Sequence, residues 1–280
     1  MSRSPCSAGR ITALWISAVA ALLVACSPAE EHIRNLSSAD GEVRRYAAYR
    51  LLMLDERAVP FLLTVLEEGT DSTRYIAIQV LGKIGDARAT QPLIAQLEVE
   101  SNPDSRQELA IALGKSGDKR AVAPLERVLV EDASVAMRVE ALRGLVRLRQ
   151  EDLAPYLVAL EDWHPRVRKE SLLALVKLRY DGLPAVARNR CDDPDATIRY
   201  IAVQLLGRLS DPLGVPPLIA ALSDSSMAVR EEAARALGKR KVAEARDALV
   251  DLMVRSKSPD GEAARWALRE ITNVDWVPVE

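Results

Sequence analysis

The chain has 280 residues, 49% of them hydrophobic, and Leu, Ala and Val dominate while phenylalanine occurs once. That is enough apolar material for a large core, which excludes a disordered or low-complexity protein, and it suits packed helices better than a β-sandwich. Lys and Arg number 38 against 40 Asp and Glu, so no basic excess exists to gather against phosphates and nucleic acid is excluded as a partner.

Residues 1–25 read as a secretion signal. Arg3 and Arg10 are its only charges, and residues 11–24 form an uncharged, mostly apolar run too short for a comfortable membrane span. The run ends in Leu23-Val24-Ala25-Cys26. This resembles the lipobox of bacterial lipoproteins, in which a branched apolar residue and two small or apolar ones precede the cysteine. The resemblance implies cleavage before Cys26, a diacylglyceryl thioether on its sulfur and an acylated amine, a set of chains that anchors stably where one does not. Ser27 after the cysteine implies, within that family, the periplasmic face of the outer membrane rather than the inner membrane. An ordinary secretory signal that happens to end in Cys is the alternative. Residues 26–38 then hold the anchor and a first cap helix, "AEEHIRNL".

From residue 39 to 271 the chain repeats. An Arg recurs at Arg44, Arg74, Arg106, Arg138, Arg168, Arg199, Arg230 and Arg265, spaced 30 to 35 residues apart. Seven positions after it stands Leu51, Leu81, Leu113, Leu145, Leu175, Leu206 or Leu237, and Thr272 in the last unit; small or apolar residues occupy positions three and four. This is one stripe of an α-helix. Gly85-Asp86 and Gly117-Asp118 end it, and Pro60, Pro92, Pro124, Pro155, Pro184 and Pro217 fall early in the next apolar run, where the first turn of a helix tolerates proline. Each unit is therefore predicted to be two antiparallel helices. An acidic residue six before the Arg, at Glu68, Glu100, Asp132, Asp162, Asp193 and Asp224, places a carboxylate in the loop between them, where it is expected to meet the Arg and form a structural ladder.

These features resemble the HEAT-repeat family in the short form also seen in phycobilisome-lyase-like proteins: an acidic residue, Arg six on, Leu seven beyond that, then "LGK-x-GD" and a Pro-led helix. The resemblance implies an all-α fold, a right-handed α-solenoid of about seven to eight two-helix units, with residues 272–280 as a C-terminal cap. It implies little about function, since such arrays serve many roles.

Chemistry is hard to find in the chain. Cys6 leaves with the signal and Cys26 is the anchor, so Cys191 has no disulfide partner. It stands in the register of Leu66, Val130, Leu160 and Leu222 and reads as a small core residue rather than a nucleophile. His32 and His164 fall four repeats apart and no triad motif surrounds either. No catalytic residue, metal ligand or cofactor is expected.

Positions one, five and nine after the Arg point away from the apolar stripe, and by resemblance this second helix of each unit lines the concave face of the array. Position nine is basic at Lys83, Lys115, Arg147, Lys177, Arg208 and Lys239. That ridge is open to two readings, an anion-binding surface or charges that complement the helix dipole. The second and sixth units echo each other as "RYIAIQVLGK" and "RYIAVQLLGR". Their Tyr75, Gln79, Tyr200 and Gln204, with Tyr49 and Trp266, make either a contact surface or a trace of shared ancestry. The resulting expectation is a lipid-anchored, non-enzymatic scaffold that holds an envelope protein in its concave groove. A binding module for a small molecule or envelope polymer is the alternative, and an enzyme subunit such as a bilin-lyase-like protein is the third reading.

Overall fold

A computed structural model describes residues 28–149, 151–209 and 211–276. Cys26, the signal and the last four residues lie outside them. The described residues contain sixteen α-helices, short 3-10 turns and no strand. The chain divides into two compact units, Met1–Asp152 and Leu153–Glu280, and each contains four helix pairs.

In the first unit α1 (Pro28–Asn35) pairs with α2 (Gly41–Leu54), α3 (Val59–Glu68) with α4 (Asp71–Ile84), α5 (Thr90–Val99) with α6 (Pro103–Lys115), and α7 (Val122–Glu131) with α8 (Val135–Arg147). In the second, α9 (Ala154–Ala159) pairs with α10 (Pro165–Lys177), α11 (Leu183–Arg190) with α12 (Ala196–Arg208), α13 (Val215–Ala220) with α14 (Met227–Lys239), and α15 (Arg246–Arg255) with α16 (Pro259–Thr272).

Local chemistry sets the boundaries. The side chains of Thr70, Asn102, Ser134 and Asp195 accept hydrogen bonds from first-turn N–H groups of α4, α6, α8 and α12, satisfying donors that a helix start leaves without partners. Gly85 ends α4 in the left-handed region at φ 72°, its N–H donating to the Leu81 carbonyl at 2.9 Å, a conformation open to glycine at no steric cost. The seven predicted leucines from Leu51 to Leu237 are all at most 1% exposed. Each such side chain contributes roughly 1.5–3 kcal/mol by leaving water, and Leu62, Leu93, Leu125, Leu218 and Leu249 of the first helices are buried as completely.

Gly82 and Gly114, in the last turns of α4 and α6, let the second helices of successive pairs touch. A Cβ on Gly114 would stand 2.4 Å from the Gly144 Cα, one on Gly82 2.7 Å from the Ala112 Cβ, and one on Gly207 2.8 Å from the Ala236 Cβ. Each of these three contacts joins position eight of one pair to position six of the next. Gly114→Ala should therefore lower stability by about 1–3 kcal/mol through overpacking against backbone, read as a lower urea midpoint; an unchanged midpoint would show that α6 and α8 separate freely.

Candidate functional site

The ladder of arginines fixes how each second helix presents its surface. In the second unit Arg168 donates through Nη1 to the carbonyls of Asp162 and Trp163 at 2.9 and 3.2 Å, and through Nε and Nη2 to the carboxylate of Asp193 at 2.9 and 2.7 Å. Arg199 repeats this with the carbonyls of Asp193 and Pro194 and the carboxylate of Asp224, and Arg230 with the carbonyls of Asp224 and Ser225 and the carboxylate of Asp260. In the first unit Arg106 pairs with Asp132, whose carbonyl accepts from Arg138.

This corrects the expected pairing of acid and Arg within one loop. Arg168, Arg199 and Arg230 each take the carbonyls of their own loop and the carboxylate of the following pair, whereas Arg74 also pairs with Asp71 at the start of its own helix. The reason is local: Asp193 Oδ1 accepts from the Asp195 N–H at 2.9 Å and Asp224 Oδ1 from the Ser226 N–H at 2.7 Å, a turn that aims the carboxylate back at the preceding pair. Burial alone would raise the pKa of Asp193, but hydrogen bonds from Arg168 and the Asp195 N–H, with the charges of Arg168 and Arg190, outweigh it and hold the carboxyl below its ordinary value. Asp224 and Asp260 are lowered against their own burial in the same way. Between helix pairs, hydrogen bonds from Arg120, its side chain foremost, bring Asp118 down to about 2.

The predicted surface residues divide evenly between the units. Tyr49, Tyr75, Gln79, Lys83, Lys115 and Arg147 stand on α2, α4, α6 and α8; Lys177, Tyr200, Gln204, Arg208, Lys239 and Trp266 stand on α10, α12, α14 and α16. The six basic residues of position nine are all exposed, each in or next to the last turn of its helix, where a cation also offsets the helix dipole. Tyr75 and Gln79 are half-buried and bonded to each other, Gln79 Nε2 donating to the Tyr75 hydroxyl at 3.1 Å. Burial, then the charges of Glu108 and Asp104, raise the pKa of that hydroxyl. Tyr200 and Gln204 are half-buried as well.

One concavity brings predicted residues together. Between α14 and α16 a groove of about 410 Å³ is lined by Arg235, Lys239, Pro259, Glu262, Ala263 and Trp266. Arg235 is held by Glu231 at 2.6 Å, and Gly238 lets the Trp266 ring lie against the α14 backbone, since a Cβ there would meet Trp266 Cζ3 at 2.8 Å. An indole face, two cations and one carboxylate thus line a single shallow site. Sequence reasoning named Lys239 and Trp266 and missed Arg235 and Glu262, although Arg235 occupies position five of its helix. Among the described residues no group of three or more His, Cys, Asp or Glu is placed to hold a metal.

The two other polar candidates are structural. His164 caps α10, its Nδ1 accepting from the Arg166 N–H at 3.1 Å. Cys191 is half-buried, its thiol donating to the Ala187 carbonyl at 3.4 Å, and burial pushes the thiol up to about 12. It stays protonated at neutral pH, which removes it as a nucleophile.

The profile of the family described as HEAT repeats matches residues 30–100, 90–176 and 184–269. The chain belongs to the HEAT-repeat family. Among curated proteins, this HEAT-repeat chain is similar to phycocyanobilin lyase subunit alpha from Picosynechococcus sp., 29% identical over 223 residues that cover 75% of each chain. Among solved structures, Escherichia coli YibA matches at a TM-score of 0.57 with 14% identity, over 98% of this chain and all of that one. Importin beta matches at 0.52 with 14% identity, over 98% of this chain and 50% of that one. These two likenesses are of fold.

The lyase relative overturns the functional expectation. The sequence alone favours a non-enzymatic scaffold over an enzyme role, whereas the similarity over three quarters of both chains is to a subunit of an enzyme. The physical reason for the error is that the repeat's packing residues dominate the sequence, while a chain acting as one subunit need not carry a recognisable catalytic cluster.

Two outcomes test the ladder. Asp193→Ala leaves Arg168 buried without its carboxylate, the two side chains being 8% and 1% exposed; stability should fall by about 3–5 kcal/mol, and Arg168→Met with Asp193→Leu should recover much of it. The lowered carboxylates also set a pH dependence. A folded pKa below the unfolded one contributes stability that is full above the ordinary carboxylate value near 4 and is lost as pH falls through the folded value. Urea midpoints should hold from pH 7 to about 5 and then drop, with Asp118 still contributing until about pH 2.

Proposed function

We propose that this chain is a subunit of a bilin-lyase-type enzyme, binding and orienting an open-chain tetrapyrrole together with a second subunit. The observation that carries this reading is the 29% identity to phycocyanobilin lyase subunit alpha across 75% of both chains, an extent that spans several repeats. The groove between α14 and α16 supports it chemically. A bilin is a conjugated ligand with two propionates, so its site needs an aromatic face and cations within reach. Trp266 supplies the face, Lys239 and Arg235 hold the propionates, and Glu262 accepts from pyrrole N–H groups. The volume falls within the roughly 300–1,000 Å³ range of small-molecule sites.

The lipobox supports tethering through Cys26 to the bacterial envelope, at the periplasmic face of the outer membrane, with an envelope protein as the second subunit. Among the described residues no helix is long and apolar enough to cross a membrane, so the acyl chains are the attachment in this reading.

Titration of phycocyanobilin with the purified chain should shift its visible absorption band saturably. Trp266→Leu and Lys239→Gln should each weaken binding about tenfold, the loss of one charged or stacking contact of roughly 1.5 kcal/mol, with helical circular dichroism retained. An unchanged spectrum at high chain concentration would sink the reading.

A further inference from the structure

The start of the first unit has an exposed side that the repeat pattern does not explain. Position nine after the ladder arginine is Lys or Arg in six helix pairs but Met53 in the first. On α2, Tyr46 and Tyr49 are each 56% exposed and Met53 is 58% exposed, standing three and four residues apart along one stripe of the helix. Arg45 and Arg50 flank them, both exposed. Arg50 donates to the Tyr46 hydroxyl at 3.0 Å, and its guanidinium lies 5.8 Å from the centre of the ring. From α1, the buried His32 ring meets Tyr46 edge to face at 6.2 Å, so that phenol is braced and points outward by construction. Two phenols, a thioether and two guanidiniums on one side are the composition of a membrane-interface surface, where amphipathic rings sit at headgroup level and cations meet lipid phosphates.

The course of the chain says which surface this side meets. α1 and α2 form a hairpin joined by five residues. One turn back from His32 is Pro28, and one turn on from Tyr46 are Tyr49 and Arg50, so the chain enters the fold beside Tyr49. Cys26 precedes Pro28 by two residues in the sequence, so acyl chains carried on that cysteine would enter a bilayer within a covalent reach of about 7 Å from the start of α1. Glu42 is paired with Arg45, and Glu30 and Glu31 stand on α1, so local charge is close to balanced and the rings and thioether carry the contact.

We propose that the Tyr46–Tyr49–Met53 side of α2 rests on the membrane surface, with Arg50 on lipid phosphates, and that it fixes the orientation of the first unit against the bilayer. The inference rests on acylation of Cys26 and is independent of the lyase reading. A second point of attachment converts a swivelling tether into a defined pose, because the linker between anchor and first helix is too short to let the stripe leave the surface far.

The test uses the full chain made in bacteria, in a Cys191→Ala background, with an environment-sensitive fluorophore on Tyr49→Cys or, as control, on exposed Glu67→Cys of α3. The mass of the N-terminal peptide establishes the state of Cys26 first. In vesicles of phosphatidylethanolamine and phosphatidylglycerol carrying a spin-labelled quencher lipid, the label at position 49 should be quenched at least threefold more than that at 67. Adding Tyr46→Ser and Met53→Ser should abolish the difference while acylation and circular dichroism persist. Equal quenching at both positions with Cys26 acylated overturns the membrane pose. An unmodified Cys26 overturns the tether on which it rests. A blue shift at position 49 that grows with protein density, without lipid quenching, assigns the stripe to a second copy of the chain and also overturns it.

Discussion

The structure depends on a guanidinium that serves two helix pairs at once. Arg168, Arg199 and Arg230 each hold the carbonyls of the loop before their own helix and the carboxylate of the next pair. Arginine suits this because its planar fork presents several donors in fixed directions and stays charged when buried. The carbonyls it satisfies are loop groups that two crowded helix ends would otherwise strand. Replacing it by lysine would keep the charge and lose the fork. Where the loop acid is absent, before Arg265, the carboxylate comes instead from Asp260 in the first turn of α16, fully buried against Arg230.

A second constraint acts on the other side of the same helices. Small residues at positions six and eight bring the backbones of successive second helices into contact, so the polar ladder and the glycine contact together fix both spacing and rotation. With rotation fixed, positions one, five and nine must face outward, and the exposed basic ends, the half-buried tyrosines and Trp266 follow from that geometry. The groove between α14 and α16 arises here too, since the Gly238 backbone gives the indole room to lie down.

Function is written on this surface without the help of the repeat. The residues that make the period visible are the ones that pack, and they are shared by HEAT arrays of unrelated activity. Those that would meet a chromophore or a membrane, such as Trp266, Arg235, Tyr46 and Met53, are surface residues that the packing period does not dictate. The similarity to a lyase subunit is spread over three quarters of the chain, which no short motif carries. The reading of Cys26 and its envelope location stays with the lipobox, since that residue lies outside the described structure.

The sequence by itself determined the helix pairs, the buried leucines from Leu51 to Leu237, the capping glycine at Gly85 and the HEAT-repeat architecture, because each follows from a local period or a local backbone preference. It also pointed to Lys239 and Trp266 by counting outward positions. Only the tertiary structure decided that the carboxylate of Asp193 serves Arg168 rather than Arg199, that Gly114 is a contact between helices, and that Arg235 and Glu262 join Lys239 and Trp266 in one groove. Those three facts join residues from different helix pairs, and a periodic sequence specifies its own turn more strongly than which neighbour a side chain will reach.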